Sequence, residues 1–357
     1  MPEAFDAKER DKRLMAQLAH MRKTLGKDAV RALTEEYSPT ACHSTGVMLI
    51  DKVLNGGVPK GRITETYGKE GGGKTTLAMS VGVQAQKAGG IIFFNDVEHK
   101  FDESMLKFLG GDRSAFIHAM PENAERAWMD MILWAEKAGP EDIGIMDSIA
   151  ALTPKEEAES YKETDEQRAA RMGSRAKLNR NGLHAMMPFL SKSGATFIAI
   201  NQLRTKMGIA YGNPEYTPGG DDLKYQSSLR LRIVAGPSVK QGEKVVGHIC
   251  RIHSTKSGHC APFQKIEVPL VYGKGFEADN VEFLFDMLVE KKLVVREAPR
   301  SANYIYGDNQ LVRGKANFIQ LLKDNEQLRN WFLEALTKVD TVPPEERDEA
   351  DAPPNGE

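Results

Sequence analysis

One short run of residues constrains the fold of this chain more than any other. Gly68-Lys69-Glu70-Gly71-Gly72-Gly73-Lys74-Thr75 fits the phosphate-binding loop pattern G-x-x-x-x-G-K-[ST] in full. The glycines let the backbone turn several N–H groups toward one anion. Lys74 has the length and charge to reach β- and γ-phosphates, and a hydroxyl at Thr75 suits Mg²⁺. The flanks agree with the loop. Arg62 to Tyr67 reads as a strand entering it. Thr76 to Ala88 reads as a helix leaving it, with Leu77, Ala78, Val81 and Ala85 on one stripe. A Gly-rich surface turn followed by a solvated lysine would not need that strand and helix in register. The helix N-terminus adds its dipole to the phosphate site, so Thr76 joins the nucleotide-binding candidates.

A loop of this kind requires parallel strands with helical crossovers, and the chain supplies them. Ile91 to Phe94, Ile143 to Met146 and Ala195 to Ile200 are short runs apolar on both faces, which suit parallel strands covered by helices. Leu229 to Val234 and Val246 to Ser254 read as antiparallel strands around a loop at Ser238 to Lys244. Before the core, residues 5–33 read as helical, with Leu14, Leu18, Met21 and Leu25 at helical spacing and Gly26 as an interruption. After it, residues 280–338 read as a smaller mixed module. The end, from Thr341, is rich in Pro, Asp and Glu and reads as a disordered tail.

Composition excludes several classes. The 357 residues are 41% hydrophobic and 27% charged, ordinary for a globular protein. No apolar run is long enough to span a bilayer, and the charged start lacks the apolar core of a secretory signal. Cys42, Cys250 and Cys260 have no C-x-x-C spacing, which argues against a disulfide framework or zinc site and for a reducing, cytoplasmic setting. A net charge of −2 does not advertise nucleic-acid binding, so a DNA site must come from local charge.

Three strand ends point to hydrolysis rather than mere nucleotide binding. Ligands of parallel α/β sheets lie beyond the carboxyl ends of the strands. Asp147 follows the run Ile143 to Met146, where a carboxylate holds Mg²⁺, through water. Glu98 closes Phe93 to Glu98, where a carboxylate can orient and deprotonate a water. Gln202 closes Ile200-Asn201-Gln202, where an amide can touch a γ-phosphate. Each is also a common polar residue at a strand end. The catalytic candidates are therefore Glu98, Lys74 and Gln202, and the metal candidates Thr75 and Asp147.

Together these residues resemble the bacterial RecA recombinases, phage-encoded versions among them. The resemblance runs through Gly56 to Ile63, Val97-Glu98-His99, Asp147 to Lys155 and Ala169 to Met172. It continues in Asn201 to Arg204, Gly212-Asn213-Pro214-Glu215, Gly219-Gly220, Ala261-Pro262-Phe263, Gly314 to Asn317 and Leu322 to Asn325. It implies a RecA-type P-loop ATPase core of α/β class with a mostly parallel central sheet. An N-terminal helical polymerisation arm (residues 1–38) precedes the core (39–279). A small C-terminal α/β domain (280–338) and the acidic tail (339–357) follow. The implied activity is ATP-dependent, on Mg²⁺: a homo-oligomeric helical filament forms on single-stranded DNA, then pairs and exchanges strands with a homologous duplex. Single-strand-binding and mediator proteins are implied as further partners, and no membrane is.

By matching position, the resemblance also makes Asp102 an adenine contact and Tyr272 an aromatic near the base. Lys256 becomes one of two lysines that reach ATP across the subunit interface. The chain departs from the family at Gly258, where the second such lysine is expected, at Met105 in place of a stacking tyrosine, and at Tyr225 in place of a phenylalanine. Two loops are expected to face DNA. One, about residues 156–168, is strongly acidic, with Arg171 and Arg175 just beyond it. The other, 203–217, offers Arg204, Lys206, Met207, Ile209 and Asn213, a mixture of cations and apolar groups suited to a single strand. A ring helicase, a DNA-binding module with a dead nucleotide site and a small-molecule kinase are the alternatives. ATP hydrolysis with and without DNA separates them.

Overall fold

The computed structural model describes residues 7–26, 40–158, 174–205, 215–277, 281–307 and 309–339. Its contacts divide the chain into two units, Met1–Thr40 and Ala41–Glu357. In the first, one helix, α1 (Ala7–Leu25), ends at Gly26, whose φ of +98° takes the left-handed turn that a side chain resists. Leu14, Met15, Met21 and Leu25 of this helix are exposed.

The second unit begins with a ladder between β1 (Cys42–His43) and β2 (Val58–Pro59), with helix α2 (Met48–Val53) between them. Strand β3 (Ile63–Gly68) enters the phosphate loop and helix α3 (Lys74–Lys87) leaves it. Next come β4 (Ile92–Asp96), α4 (Glu103–Phe108), β5 (Phe116–Ala119), α5 (Ala124–Lys137) and β6 (Ile143–Asp147). The helical turn α6 (Lys155–Ala158), α7 (Ser174–Ser193), β7 (Thr196–Gln202), β8 (Arg204–Thr205), β9 (Glu215–Tyr216) and α8 (Asp222–Gln226) follow. Then β10 (Leu229–Gln241), β11 (Lys244–Ser257), β12 (Lys265–Val271) and β13 (Gly275–Phe276) complete the main body.

Nine of these strands make one sheet in the order β13-β12-β11-β10-β3-β7-β6-β4-β5. From β10 to β5 every neighbouring pair is parallel, and β11, β12 and β13 add antiparallel pairs at the other edge. Side chains alternate between faces along a strand, and β7 shows the consequence. Ile198 and Ile200 join Leu77, Val81 and Ile145 on the face covered by α3. Phe197 and Ala199 join Trp128 and Met131 of α5 and Leu183 and Met186 of α7 on the other. Both faces are buried, which is why these strands read as unbroken apolar runs. Truncating a residue such as Phe197, 0% exposed, to Ala should cost about 3–5 kcal/mol.

A third core lies in the last part of the chain. Helices α9 (Val281–Glu290), α10 (Lys315–Asp324) and α11 (Glu326–Val339) accompany a separate three-stranded sheet, β14 (Val294–Arg296), β15 (Asn303–Tyr306) and β16 (Gln310–Arg313). Its centre is aromatic, with Phe285, Tyr304, Tyr306, Phe318 and Phe332 in contact. Met48 and Leu49 of α2 pack against it, and Lys52 pairs with Glu334 at 2.6 Å.

The structure corrects one sequence expectation here. The segment Ser238 to Lys244 is not a loop: β10 continues to Gln241, β11 starts at Lys244, and only Gly242 and Glu243 turn between them. This end of the hairpin is mostly exposed and polar, so no hydrophobic alternation marks it. Its backbone ladder holds it instead.

Candidate active site

The site forms where β3, β4, β6 and β7 end side by side. Gly68 closes β3. A Cβ there would lie 2.0 Å from the backbone oxygen of Ile233, so the strand pairing leaves room for no side chain. Gly71 and Gly73 take φ of +74° and +99°, and Gly73 caps α3 in the left-handed conformation. Around Gly71 no atom lies within 4 Å of a built Cβ, which leaves the loop open on that side for an anion. The thiol of Cys250 donates to the carbonyl of Gly72 at 3.3 Å and supports the loop from below. Burial pushes this thiol up to about 12, so it is a structural group rather than a reactive one.

Lys74 is buried at the first position of α3, and its ammonium donates to the carbonyl of Lys69 at 2.8 Å. Burial lowers its pKa, while Asp147, Glu98 and Glu70 pull the other way. The hydroxyl of Thr75 donates to Oδ2 of Asp147 at 2.7 Å. Burial lifts Asp147 to about 6 against that hydrogen bond, and the nearby charge of Glu98 adds to the lift. A buried carboxylate beside two others, Glu98 and Asp96, favours a cation. A hydroxyl and a carboxylate oxygen are hard donors of the kind Mg²⁺ takes. Thr75 and Asp147 therefore fit the metal that the loop motif calls for.

Glu98 lies just beyond β4 and receives three donors. Gln202 Nε2 reaches Oε1 at 2.7 Å, Ser148 Oγ reaches the same oxygen at 2.9 Å, and Lys100 Nζ reaches Oε2 at 3.0 Å. Burial raises the pKa of Glu98, but these hydrogen bonds, that of Lys100 foremost, outweigh it and hold the group below its ordinary value. Strands β4, β6 and β7 end side by side, so Glu98, in the turn two residues past β4, meets Gln202 and lies near Asp147.

A cavity of about 350 Å³ is lined by this cluster. Glu70, Gly71, Gly73, Lys74, Thr75 and Thr76 line its phosphate end. Asp102, Met105, His248 and Tyr272 line the same cavity. Asp102 caps α4 by accepting from Ser104 N at 2.8 Å, which holds its carboxyl below the usual range. Tyr272 is exposed, and its hydroxyl sits 3.3 Å from Nδ1 of His248. Sequence reasoning missed His248, Ser148 as a partner of Glu98, and Lys100. Ser148 and Lys100 are each within two residues of a named candidate, but nothing in their spacing shows where their side chains turn.

The other candidates lie elsewhere. Lys256, on β11, is outside its own chain's cavity and donates to the carbonyls of Lys224 and Tyr225 at 2.9 and 2.7 Å. Tyr225 is 76% exposed. Arg175 makes a two-pronged pair with Glu157 at 2.8 and 2.6 Å. Arg204 is exposed on β8, which pairs with β9 as Arg204↔Tyr216 and Thr205↔Glu215. Arg171, Lys206, Met207, Ile209 and Asn213 lie outside the described residues, as does the acidic tail. Among the described residues no helix is long and apolar enough to cross a membrane, and no cluster of His, Cys, Asp and Glu forms a metal cage.

Residues 12–277 match the family described as RecA N-terminal domain. The chain belongs to the RecA family. It is 37% identical to Protein RecA of Deinococcus radiodurans over 328 residues, covering 90% of this chain and 87% of that one. Against Protein RecA of a Nocardioides species the figure is 37% over 350 residues, 97% and 96% of the two chains. Against that of Chlorobaculum tepidum it is 36% over 336 residues, 93% and 94%. As a RecA-family protein the chain is a DNA-dependent ATPase and a recombinase of DNA repair and recombination. The RecA-type core accounts for the mostly parallel sheet and the placement of the phosphate loop at its centre.

Proposed function

We propose that this RecA-family chain assembles as a helical filament on single-stranded DNA in the cytoplasm. There it hydrolyses ATP with Mg²⁺ and pairs the bound strand with a homologous duplex. The observation that carries the reading is the convergence of Lys74, the Thr75–Asp147 pair and the Glu98–Gln202 pair on one cavity.

Each residue has a part. The loop amides and Lys74 hold the β- and γ-phosphates. Thr75 and Asp147 hold Mg²⁺, which supplies charge neutralisation at the phosphates. Glu98 accepts a proton from the attacking water as the new oxygen–phosphorus bond forms and the bond to the bridging β–γ oxygen breaks. Gln202 reaches both Glu98 and the γ-phosphate position, and the chain leaves it at Leu203 directly into Arg204 and the second DNA loop. Asp102 and Tyr272 border the base. Lys256, whose ammonium is held at the exposed Tyr225 rather than in its own cavity, serves the nucleotide of a neighbouring copy. Arg204 and Arg175, with Arg171, Lys206, Met207, Ile209 and Asn213, face DNA; Arg175 must first exchange Glu157 for phosphate.

Two surfaces support assembly. Helix α1 exposes Leu14, Met21 and Leu25. Strand β5 is the edge of the large sheet, beside an open cleft of about 880 Å³ lined by Ile117, Met120, Leu133 and Trp134, and an open edge accepts a strand from another copy. The test is ATP hydrolysis with and without single-stranded DNA, alongside electron micrographs of the complex. Stimulation by DNA together with filaments is the expected result. A rate indifferent to DNA would overturn the reading.

A further inference from the structure

The cavity has an unusual charge balance for a site that must take a nucleoside triphosphate. Five acidic side chains line it, Glu70, Asp96, Glu98, Asp102 and Asp147, against two lysines, Lys74 and Lys100. The resemblance expects a second lysine at position 258, where this chain has Gly258, and glycine supplies no charge. Lys74 is directed to the phosphate loop. That leaves Lys100 as the other lysine lining the cavity among the described residues.

Its position is built. Asp96 accepts from the backbone N–H of both Lys100 and Phe101, at 3.1 and 3.0 Å, and so pins the turn after β4. His99 at the centre of this turn has φ of +54°, a left-handed conformation that few side chains adopt. Residues 98 and 100 both line the cavity as a result. Lys100 reaches Glu98 Oε2 at 3.0 Å, yet its side chain is 69% exposed, against 17% for Glu98. Ion pairs with so solvated a partner hold weakly and exchange readily. The other oxygen of Glu98 is held by Ser148 and Gln202 and does not depend on Lys100.

We propose that Lys100 is a second phosphate-directed cation of this site, which leaves Glu98 for the terminal phosphate when a nucleoside triphosphate enters. The transfer does two things. It adds a positive charge at the γ-phosphate from within the same chain. It also frees Oε2 of Glu98 to accept a water proton, while Ser148 and Gln202 keep the carboxylate in place. Glu98 is then available as a base only when a γ-phosphate is present to draw Lys100 away. The proposal rests on the nucleotide-site reading given above.

The test compares two affinities, for adenosine 5′-(β,γ-imido)triphosphate and for ADP, by displacement of a fluorescent nucleotide without DNA. Lys100→Met should weaken the imidotriphosphate by about tenfold, as expected for losing a charge-assisted contact, and leave ADP unchanged. Lys100→Arg should restore most of the loss. DNA-stimulated turnover of Lys100→Met should also fall in kcat. Affinities that move together, or that do not move, overturn the proposal. Lys74→Ala, run in parallel, separates the two readings. Loss of both nucleotides there with no effect of Lys100→Met refutes only the role of Lys100. Retention of both nucleotides in Lys74→Ala means the nucleotide site itself is misplaced, and the proposal falls with it.

Discussion

The side-chain amide of Gln202 donates to Oε1 of Glu98 at 2.7 Å. This bond ties the end of β7 to the turn beyond β4, strands separated in the sheet by β6. The group assigned to the γ-phosphate and the group assigned to the water are therefore in direct contact. Behind Gln202, Asn201 accepts from the Gln202 N–H at 3.0 Å and donates to the buried Glu65 at 3.0 Å and to the carbonyl of Pro218 at 3.1 Å. Pro218 follows the segment 203–217, proposed above to face DNA.

Glu98→Gln keeps the shape of the carboxylate and removes its basicity. Turnover on single-stranded DNA should fall by about 10²–10⁴-fold, the usual worth of a general base. ATP-dependent DNA binding should persist, since no phosphate contact is lost. A variant that hydrolyses ATP normally but cannot bind DNA would sink the assignment.

Lys74→Ala should abolish hydrolysis and leave a folded chain. Lys74 is buried and its ammonium donates to the carbonyl of Lys69. Its removal takes away the charge aimed at the phosphates and spares the sheet. The check is a circular dichroism spectrum matching the wild type beside a turnover assay. Wild-type turnover in the folded variant contradicts the role.

Lys256→Ala should cost cooperative assembly and DNA-stimulated hydrolysis together, by about tenfold for a lost charge-assisted contact. Binding of nucleotide by a single subunit should survive through Lys74. Gly258→Lys should tighten the filament. A Cβ at Gly258 would meet nothing closer than the Ser228 carbonyl oxygen at 3.7 Å and Arg62 Nη1 at 3.8 Å, so the backbone has room for it. The readout is turnover against protein concentration on single-stranded DNA. Unchanged cooperativity in Lys256→Ala removes the cross-interface role.

His43 predicts an acid limit to stability. Its ring is buried, with Nε2 3.1 Å from the hydroxyl of Thr196, and burial lowers its pKa from 6.5 to about 4, with the charge of Lys60 adding to the drop. A histidine depressed in the folded state is protonated more readily in the unfolded one. Stability is therefore full above about 6.5 and declines as pH falls toward about 4. The slope from this one group is about 1.4 kcal/mol per pH unit. His43→Gln should flatten that part of the denaturation midpoint against pH, and an equally steep curve in the variant would count against it.

Much of the candidate site was legible in the sequence because local rules govern it. The phosphate loop is contiguous, its glycines answer to backbone angles, and Lys74 and Thr75 follow them on one helical turn. Apolar runs ending in Asp147 and Gln202 marked parallel strands, since a strand covered on both faces admits few polar residues until it emerges. The membership in the RecA family was legible for the same reason, from ordered short motifs. Partnerships between distant segments were not. The ties of Ser148 and Lys100 to Glu98, the contact of His248 with Tyr272 and the pairing of Arg175 with Glu157 depend on strand order and side-chain direction, which no spacing encodes. The outer half of the β10–β11 hairpin was missed because its stability lies in backbone hydrogen bonds between polar residues. Local sequence determined which groups stand in the phosphate loop and at the strand ends; only the sheet, by setting β4, β6 and β7 side by side, decided which of them touch.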